Sequence, residues 1–379
     1  MRSGKLILLI LFLSYGYGNI FGQLIKVSVF NELPVKSIVV SSLKGDYIIY
    51  CDQQPVFNLS NEAMYISFFN NHLLLRDSRK AIGNFSHIQF VAKDTCSIIK
   101  VTVIEPKNDP RQFDNNLQVS VAFGRILMCN EILPDNYIAG VVEAEAGSKA
   151  ENEFYKAQSI LARTYLYSHI TRHKSEGFNL CDAVHCQAFK GRPLRNPSIR
   201  ECTKATSGLV VIDKDSALIT AVFHANCGGE TESSENAWLN NKNYLQPLSD
   251  PFCGGSLSAK WTKTISLDQW KVYLKGQGFK FKSSIASSEF DFSQEVRKKF
   301  YKVNNDSIPL RQLRTYFQLR STFFTVVAEK NTIIFKGKGF GHGVGLCQDG
   351  AMQMARVGYK YDEILKFYYK NILIVKVHP

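Results

Sequence analysis

The stretch Gly337-Lys338-Gly339-Phe340-Gly341-His342-Gly343-Val344-Gly345 places glycine at every second position, and Leu346-Cys347-Gln348-Asp349-Gly350-Ala351 follows it. In an extended strand alternate residues share a face. The alternation therefore predicts one face without side chains and an opposite face carrying Lys338, Phe340 and His342. Bare backbone admits another segment or a ligand at close range. A phosphate-cradling loop fits less well, because no Gly-Lys-Ser/Thr ending is present and alternation suits a strand better than a loop entering a helix.

Around this run, residues 126–379 mix helical and strand signals. Pro134 suits a first helical position and Asp135 adds a first-turn carboxylate, which predicts a helix to about Ala146 stopped by Gly147. A second helix is expected from about Glu151 to His169. Strands are expected at Leu209–Ile212, Leu218–His224, Phe323–Ala328 and Ile372–Val377, with a loop from Asn226 to Tyr244. After the glycine run, one helix should stop near Gly358 and another cover Asp362–Tyr369. Upstream, residues 23–125 read as β-rich, with strands at Leu24–Phe30, Ser37–Ser42, Tyr47–Cys51, Met64–Phe69 and His87–Val91, and turns at Gly45-Asp46 and Ile82-Gly83-Asn84. The expected class is α+β: a mixed domain of helices and short strands around a groove, residues 126–379, preceded by a smaller β-rich accessory domain.

Residues 1–22 read as a signal peptide: Arg2 and Lys5 are basic, Leu6 to Leu13 are apolar, and Gly16, Gly18 and Gly22 follow. The apolar run is too short to span a bilayer, an uncleaved anchor being the minor alternative. Cleavage near Gly22 predicts an exported chain of ~357 residues, soluble in the periplasm or cell envelope and ample for two cores. The whole sequence carries a formal net charge of +13. Spread along the chain, that charge suits anionic partners such as wall polymers, lipid headgroups or acidic glycans. Export and the absence of a recognition motif argue against nucleic acid. The nine cysteines are an odd set for an oxidising compartment, which leaves at least one thiol free or metal-bound; Cys227 with Cys253 is a plausible disulfide.

In the first predicted helix, Ile138, Val141, Val142 and Glu145 are spaced i, i+3, i+4, i+7, which puts Glu145 on an aliphatic stripe. Glu143 falls off that stripe and is expected in solvent. Desolvation would raise the Glu145 pKa and keep a proton available for donation; the plainer alternative is a rim glutamate capping the buried face. On the next helix Lys156, Ile160, Arg163 and Tyr167 share a stripe, so two cations could grip an acidic or hydroxyl-rich ligand. An ordinary solvated face is the competing reading. Cys181, His185 and Cys186, with His173 upstream, offer up to four ligands for tetrahedral zinc, against the alternative of a Cys181–Cys186 disulfide. No His-Glu-x-x-His run points to a zinc hydrolase. A thiol nucleophile, Cys186 or Cys347 with His185 or His342, is a weaker option, because adjacent residues rarely form a productive pair.

Three segments together resemble the SpoIID/LytB family of peptidoglycan lytic transglycosylases. The first is Tyr137-Ile138-Ala139-Gly140-Val141-Val142-Glu143-Ala144-Glu145 with Tyr155-Lys156-Ala157-Gln158 and Leu161-Ala162-Arg163-Thr164-Tyr165. The second is Cys181–Gly191, and the third is the glycine run with Gln348 and Gly350-Ala351; His224–Thr231 and Trp238 add a fourth, weaker match. The resemblance implies one catalytic glutamate, carried onto Glu145, and groove positions at Lys156 and Arg163, with His342 and Lys338 also facing substrate. It implies cleavage of MurNAc–GlcNAc bonds in glycan strands with 1,6-anhydroMurNAc ends, a reaction for which one carboxyl can act as both acid and base. It also raises the case for a structural zinc on Cys181, His185, Cys186 and His173. A non-catalytic wall-binding protein that enhances a peptidoglycan amidase is the alternative the same family implies. Departures from the family pattern occur at Ala146-Gly147, Asn226-Cys227 and Asp349, which bear on substrate preference and leave the acid in place.

Overall fold

The protein is described by a computed structural model covering residues 23–60, 62–238, 241–256, 259–282 and 285–377. The expected signal peptide lies outside the described residues. The fold is α+β, with strands gathered toward the N-terminus and helices in the later part. Chain contacts divide it into two units. Among the described residues, no helix is long and apolar enough to cross a membrane.

The first unit comprises the described residues up to Tyr137 together with His173–Asp182 and Val377. Residues 126–137 and 173–182, which the sequence reading groups with the later part, pack here. Two sheets make up the unit. One runs in the order Leu180–Cys181, Ile25–Val29, Arg125–Ile132, Asn116–Ala122, His87–Ala92, Tyr47–Cys51, Gln54–Leu59. The other runs Arg111–Asp114, Ile98–Glu105, Ser37–Lys44, Ala63–Phe69, His72–Arg76, Ala81–Phe85. All pairings are antiparallel except that of Leu180–Cys181 with Ile25–Val29. Alternation builds the core: Val27, Ile49, Phe90 and Val119 of one sheet and Val40, Ile66, Leu75 and Val101 of the other are all buried. Asp182 ties its segment to this unit, accepting from the amides of Phe30 and Asn31 and pairing with Arg111 at 2.7 Å.

The five strands expected in this region are all present. The turn expected at Ile82-Gly83-Asn84 is instead inside the edge strand Ala81–Phe85, in register with His72–Arg76. The Phe85 ring lies over Gly83, covering the space a side chain would fill.

In the second unit, helix α1 (Pro134–Ala146) continues from its first turn, and α2 (Asn152–Ser168) forms the centre. Around α2 pack helix α3 (Ser198–Ala205), strand Leu209–Ile212 and helices Gln348–Arg356 and Tyr361–Tyr368. α2 is buried on nearly every side, from Phe154 to Tyr167. Two of its buried hydroxyls are matched: Thr164 Oγ1 accepts from Val211 N at 2.9 Å, and Ser159 meets Thr203 at 3.0 Å. A three-stranded sheet, Lys260–Ser266, Thr332–Lys338 and Phe324–Glu329, backs a second core of aromatic rings around the fully buried Trp270. Of the expected strand Leu218–His224 only Phe223–His224 is regular, and the expected loop 226–244 contains the helix Ser234–Trp238.

The glycine run departs from the expected strand. The strand Thr332–Lys338 ends as the run begins, and Gly339, Gly341, Gly343 and Gly345 have φ of +76°, +111°, +85° and +71°. A left-handed residue at every second position breaks the pleat, so no continuous bare face forms. The expected close approach is present all the same. A Cβ on Gly345 would lie 2.2 Å from the Val222 carbonyl oxygen, because the chain there passes directly against residues 222–229. The run ends in Leu346–Cys347, which pairs in parallel with Phe223–His224.

Candidate active site

Glu145 lies in the last turn of α1, on the stripe whose other members, Ile138, Val141 and Val142, are fully buried. Gly140 permits the next layer of the site. A Cβ there would meet the Gly191 carbonyl oxygen at 2.2 Å, so only glycine lets the segment 186–191 close over α1. That closure brings the Ala188 N–H to Glu145 Oε1 at 2.7 Å. From the other side Gln348, at the head of the helix that follows the glycine run, donates to the Glu145 backbone carbonyl at 3.2 Å. The Glu145 carboxyl is partly buried, and burial raises its pKa while the Ala188 amide pulls it down. Its place at the negative end of α1 acts in the same direction as burial. The site thus holds a carboxyl that keeps its proton to higher pH than an exposed one, beside an amide that supports the ionised form.

Glu143 differs from the expectation of a solvated side chain. It is 7 % exposed, because residues 194–196 wrap round it. Its carboxylate accepts from the amides of Leu194, Arg195 and Asn196 at 3.0, 2.8 and 3.1 Å. Helical periodicity alone could not show this, since the covering segment lies some fifty residues downstream.

Of the expected groove residues, Lys156 pairs with Glu153 at 2.6 Å, and Glu153 also accepts from the Tyr361 amide at 3.0 Å. Arg163 is fully buried, with its guanidinium on the carbonyls of Leu209 and Thr203 at 3.2 and 3.1 Å. A buried fork holding backbone carbonyls joins α2 to α3 and the following strand, which takes Arg163 out of reach of a ligand. His342 borders a cavity of about 660 Å³ with Glu232, Asn236, Arg314, Tyr316 and Thr322, whose lining does not include Glu145. Burial, then Arg314, lowers the His342 pKa to about 4. Lys338 is exposed and lies 4.9 Å over the Phe323 ring. Glu145 and Gln348 are therefore brought together by direct contact, while His342 and Lys338 belong to the aromatic part of the unit.

Residues 123–212 match the family model described as Stage II sporulation protein, SpoIID. The chain is also 33 % identical over 256 residues to an uncharacterized protein of Brachyspira hyodysenteriae, covering 66 % of this chain and 68 % of that one.

The chain belongs to the SpoIID family.

Two further relatives, both from Bacillus subtilis, extend the comparison. The stage II sporulation protein D is 27 % identical over 256 residues, 63 % of this chain and 74 % of that one. The amidase enhancer is 27 % identical over 284 residues, 61 % of this chain but 39 % of its own length. In this SpoIID protein the family-model match contains Glu145, the segment that reaches back to it at Ala188, and the four expected zinc donors.

Those four donors are divided between the units. His173 and Cys181 lie in the first, His185 and Cys186 in the second. In the first unit Glu176 takes His173 Nδ1 at 2.5 Å, the carboxylate–histidine pairing that orients an imidazole for metal through its other nitrogen. In the second, His185 Nδ1 and Cys186 Sγ are 3.8 Å apart, a separation one tetrahedral ion can bridge. The chain thus carries cysteine and histidine groups able to hold a metal. Sequence reading missed the link from Gln348 to Glu145; the motif that names the glycine run contained Gln348, but only the fold shows where it points.

Proposed function

We propose that this protein is an exported lytic transglycosylase acting on peptidoglycan glycan strands, with Glu145 as acid and base. The observation that carries the reading is a single carboxyl, partly buried with a raised pKa and touched by one amide, in the family's glutamate position. Protonated Glu145 gives its proton to the glycosidic oxygen as the C1–O4 bond of MurNAc breaks. The resulting carboxylate takes the proton of the MurNAc 6-hydroxyl as O6 bonds to C1. No water is consumed, and the proton count on Glu145 is restored. The Ala188 amide would steady the ionised form between the two transfers. A hydrolase would need a second carboxylate to activate water. Glu143 is unsuited to that task, because three backbone amides already engage it.

The amidase-enhancer relative supports a second reading, a wall-binding protein that assists a peptidoglycan amidase without cutting glycan itself. Purified glycan strands separate the two: the enzyme releases soluble saccharides unaided and Glu145→Gln does not, whereas an enhancer releases none without its amidase. A structural zinc on the cysteine and histidine groups belongs to the same proposal; held by His185 and Cys186, it would steady the segment beside Ala188. Export and a soluble envelope location complete the reading, and amino-terminal sequencing of the secreted chain tests them.

A further inference from the structure

Away from Glu145, the second unit gathers three cysteines and one carboxylate from three distant segments. Cys227, Cys253 and Cys347 are at most 1 % exposed and Asp250 is 2 % exposed. Their donor atoms all lie within 4.8 Å of one another. Cys227 Sγ is 3.2 Å from Cys253 Sγ and 3.2 Å from Asp250 Oδ2.

Backbone amides point at two of the three sulfurs, and the third, Cys227 Sγ, faces the Asp250 carboxylate. The Cys227 amide donates to Cys347 Sγ at 3.2 Å, the Gly229 amide to Cys253 Sγ at 3.2 Å, and the Gly350 amide to Cys347 Sγ at 3.4 Å. Asp250 is aimed by its own partners, accepting from the Phe252 amide and the Tyr368 hydroxyl, both at 2.9 Å. Among the described residues Asp250 forms no ion pair with a lysine or arginine. A cation placed among these donors would offset the buried Asp250 carboxylate and engage all three sulfurs at once. A Cys227–Cys253 disulfide, the pairing expected from the sequence, would use two of the four donors and leave Asp250 and Cys347 facing a neutral bridge.

We propose that Cys227, Asp250, Cys253 and Cys347 form a closed, structural zinc site. Three sulfurs and one carboxylate oxygen complete a tetrahedral shell, with Zn–S of about 2.3 Å and Zn–O of about 2.0–2.2 Å. On binding, the three thiols lose their protons to solvent; the ion's two positive charges offset half of the four negative charges, and the amides of Cys227, Gly229 and Gly350 support the remainder at the sulfurs. The site would join residues 225–229, the loop 250–253 and the start of helix Gln348–Arg356. Because Gln348 follows Cys347 directly and holds the Glu145 carbonyl, the ion would fix the end of the glycine run beside Glu145. The site is separate from the four donors between His173 and Cys186.

The test is zinc content of the full secreted chain, purified without reductant or chelator, loaded with zinc sulfate and freed of loose metal. Wild type is compared with Cys253→Ser and with Asp250→Asn, the second keeping the side-chain volume should the first fail to fold. The expected result is one zinc fewer per chain in Cys253→Ser and weaker retention, by about 10-fold or more, in Asp250→Asn. X-ray absorption of wild type should show zinc with predominantly sulfur neighbours. Peptide mapping after alkylation in denaturant should recover Cys227, Cys253 and Cys347 as thiols. Recovery of a Cys227–Cys253 cross-linked peptide, or equal zinc in wild type and both variants, would overturn the proposal.

Discussion

Glu143 and Glu145 leave the same last turn of α1 two residues apart, and the regions they enter treat them in opposite ways. The segment 194–196 closes round Glu143 and gives its carboxylate three amide donors. The segment 186–191 approaches Glu145 with a single amide and leaves the carboxyl partly open. A carboxylate engaged on that many donors holds a loop in place; one with a raised pKa and a single donor can exchange a proton. The difference is made by what packs over each residue, and not by its position along the helix.

The largest expected effect breaks that contrast at its reactive end. Glu145→Gln should lower turnover on glycan strands by about 10²–10⁴-fold, the usual worth of a general acid–base group, with the folded structure retained. Equal loss from Glu143→Gln with the fold intact would mean the roles are reversed. Glu143→Ala leaves three amides without their acceptor and should cost about 3 kcal/mol of stability by chemical denaturation. Faster amide exchange at residues 194–196 should accompany it. Gly345→Ala, in a left-handed position against the Val222 carbonyl, should cost about 1–3 kcal/mol on the same assay. Gln348→Ala removes one hydrogen bond to the Glu145 backbone and should lower turnover about fivefold.

The pH dependence sharpens the comparison further. Donation requires protonated Glu145, so turnover should fall as pH rises through its raised pKa, above the range of an exposed glutamate. The folded state also binds that proton more tightly than the unfolded chain. The associated stability is present below the ordinary carboxylate pKa and is lost as pH rises through the raised value. His342 has the opposite sign. Its pKa is lowered from 6.5 to about 4, so its contribution is present above 6.5 and is lost as pH falls through about 4. Urea titrations of wild type, Glu145→Gln and His342→Gln across pH 3–8 should show both trends disappear in the respective variants.

The sequence was most informative where local rules govern. Short β-branched and aromatic runs located the strands at Tyr47–Cys51 and His87–Val91, and Pro134 with Gly147 bracketed α1. The aliphatic stripe put Glu145 in line with Ile138, Val141 and Val142, which are buried. What stayed hidden depends on distant covering segments. Arg163 reads as a ligand-gripping cation by spacing, yet α2 is wrapped on nearly every side and its guanidinium serves backbone carbonyls. Glu143 was hidden by the same cause. The glycine run misled for another reason: a two-residue period is shared by a pleated strand and by a chain that turns left-handed at each glycine, and only the packing against residues 222–229 distinguishes them. The convergence of Cys227, Asp250, Cys253 and Cys347 was equally out of reach, since about a hundred residues separate Cys347 from the other three.

The most direct measurement is mass spectrometry of the products released from purified glycan strands by the wild-type chain and by Glu145→Gln, with no amidase present. The account predicts saccharides ending in 1,6-anhydroMurNAc from the wild type and none above background from the variant. Reducing ends from the wild type, or anhydro products formed equally fast by Glu145→Gln, would contradict it.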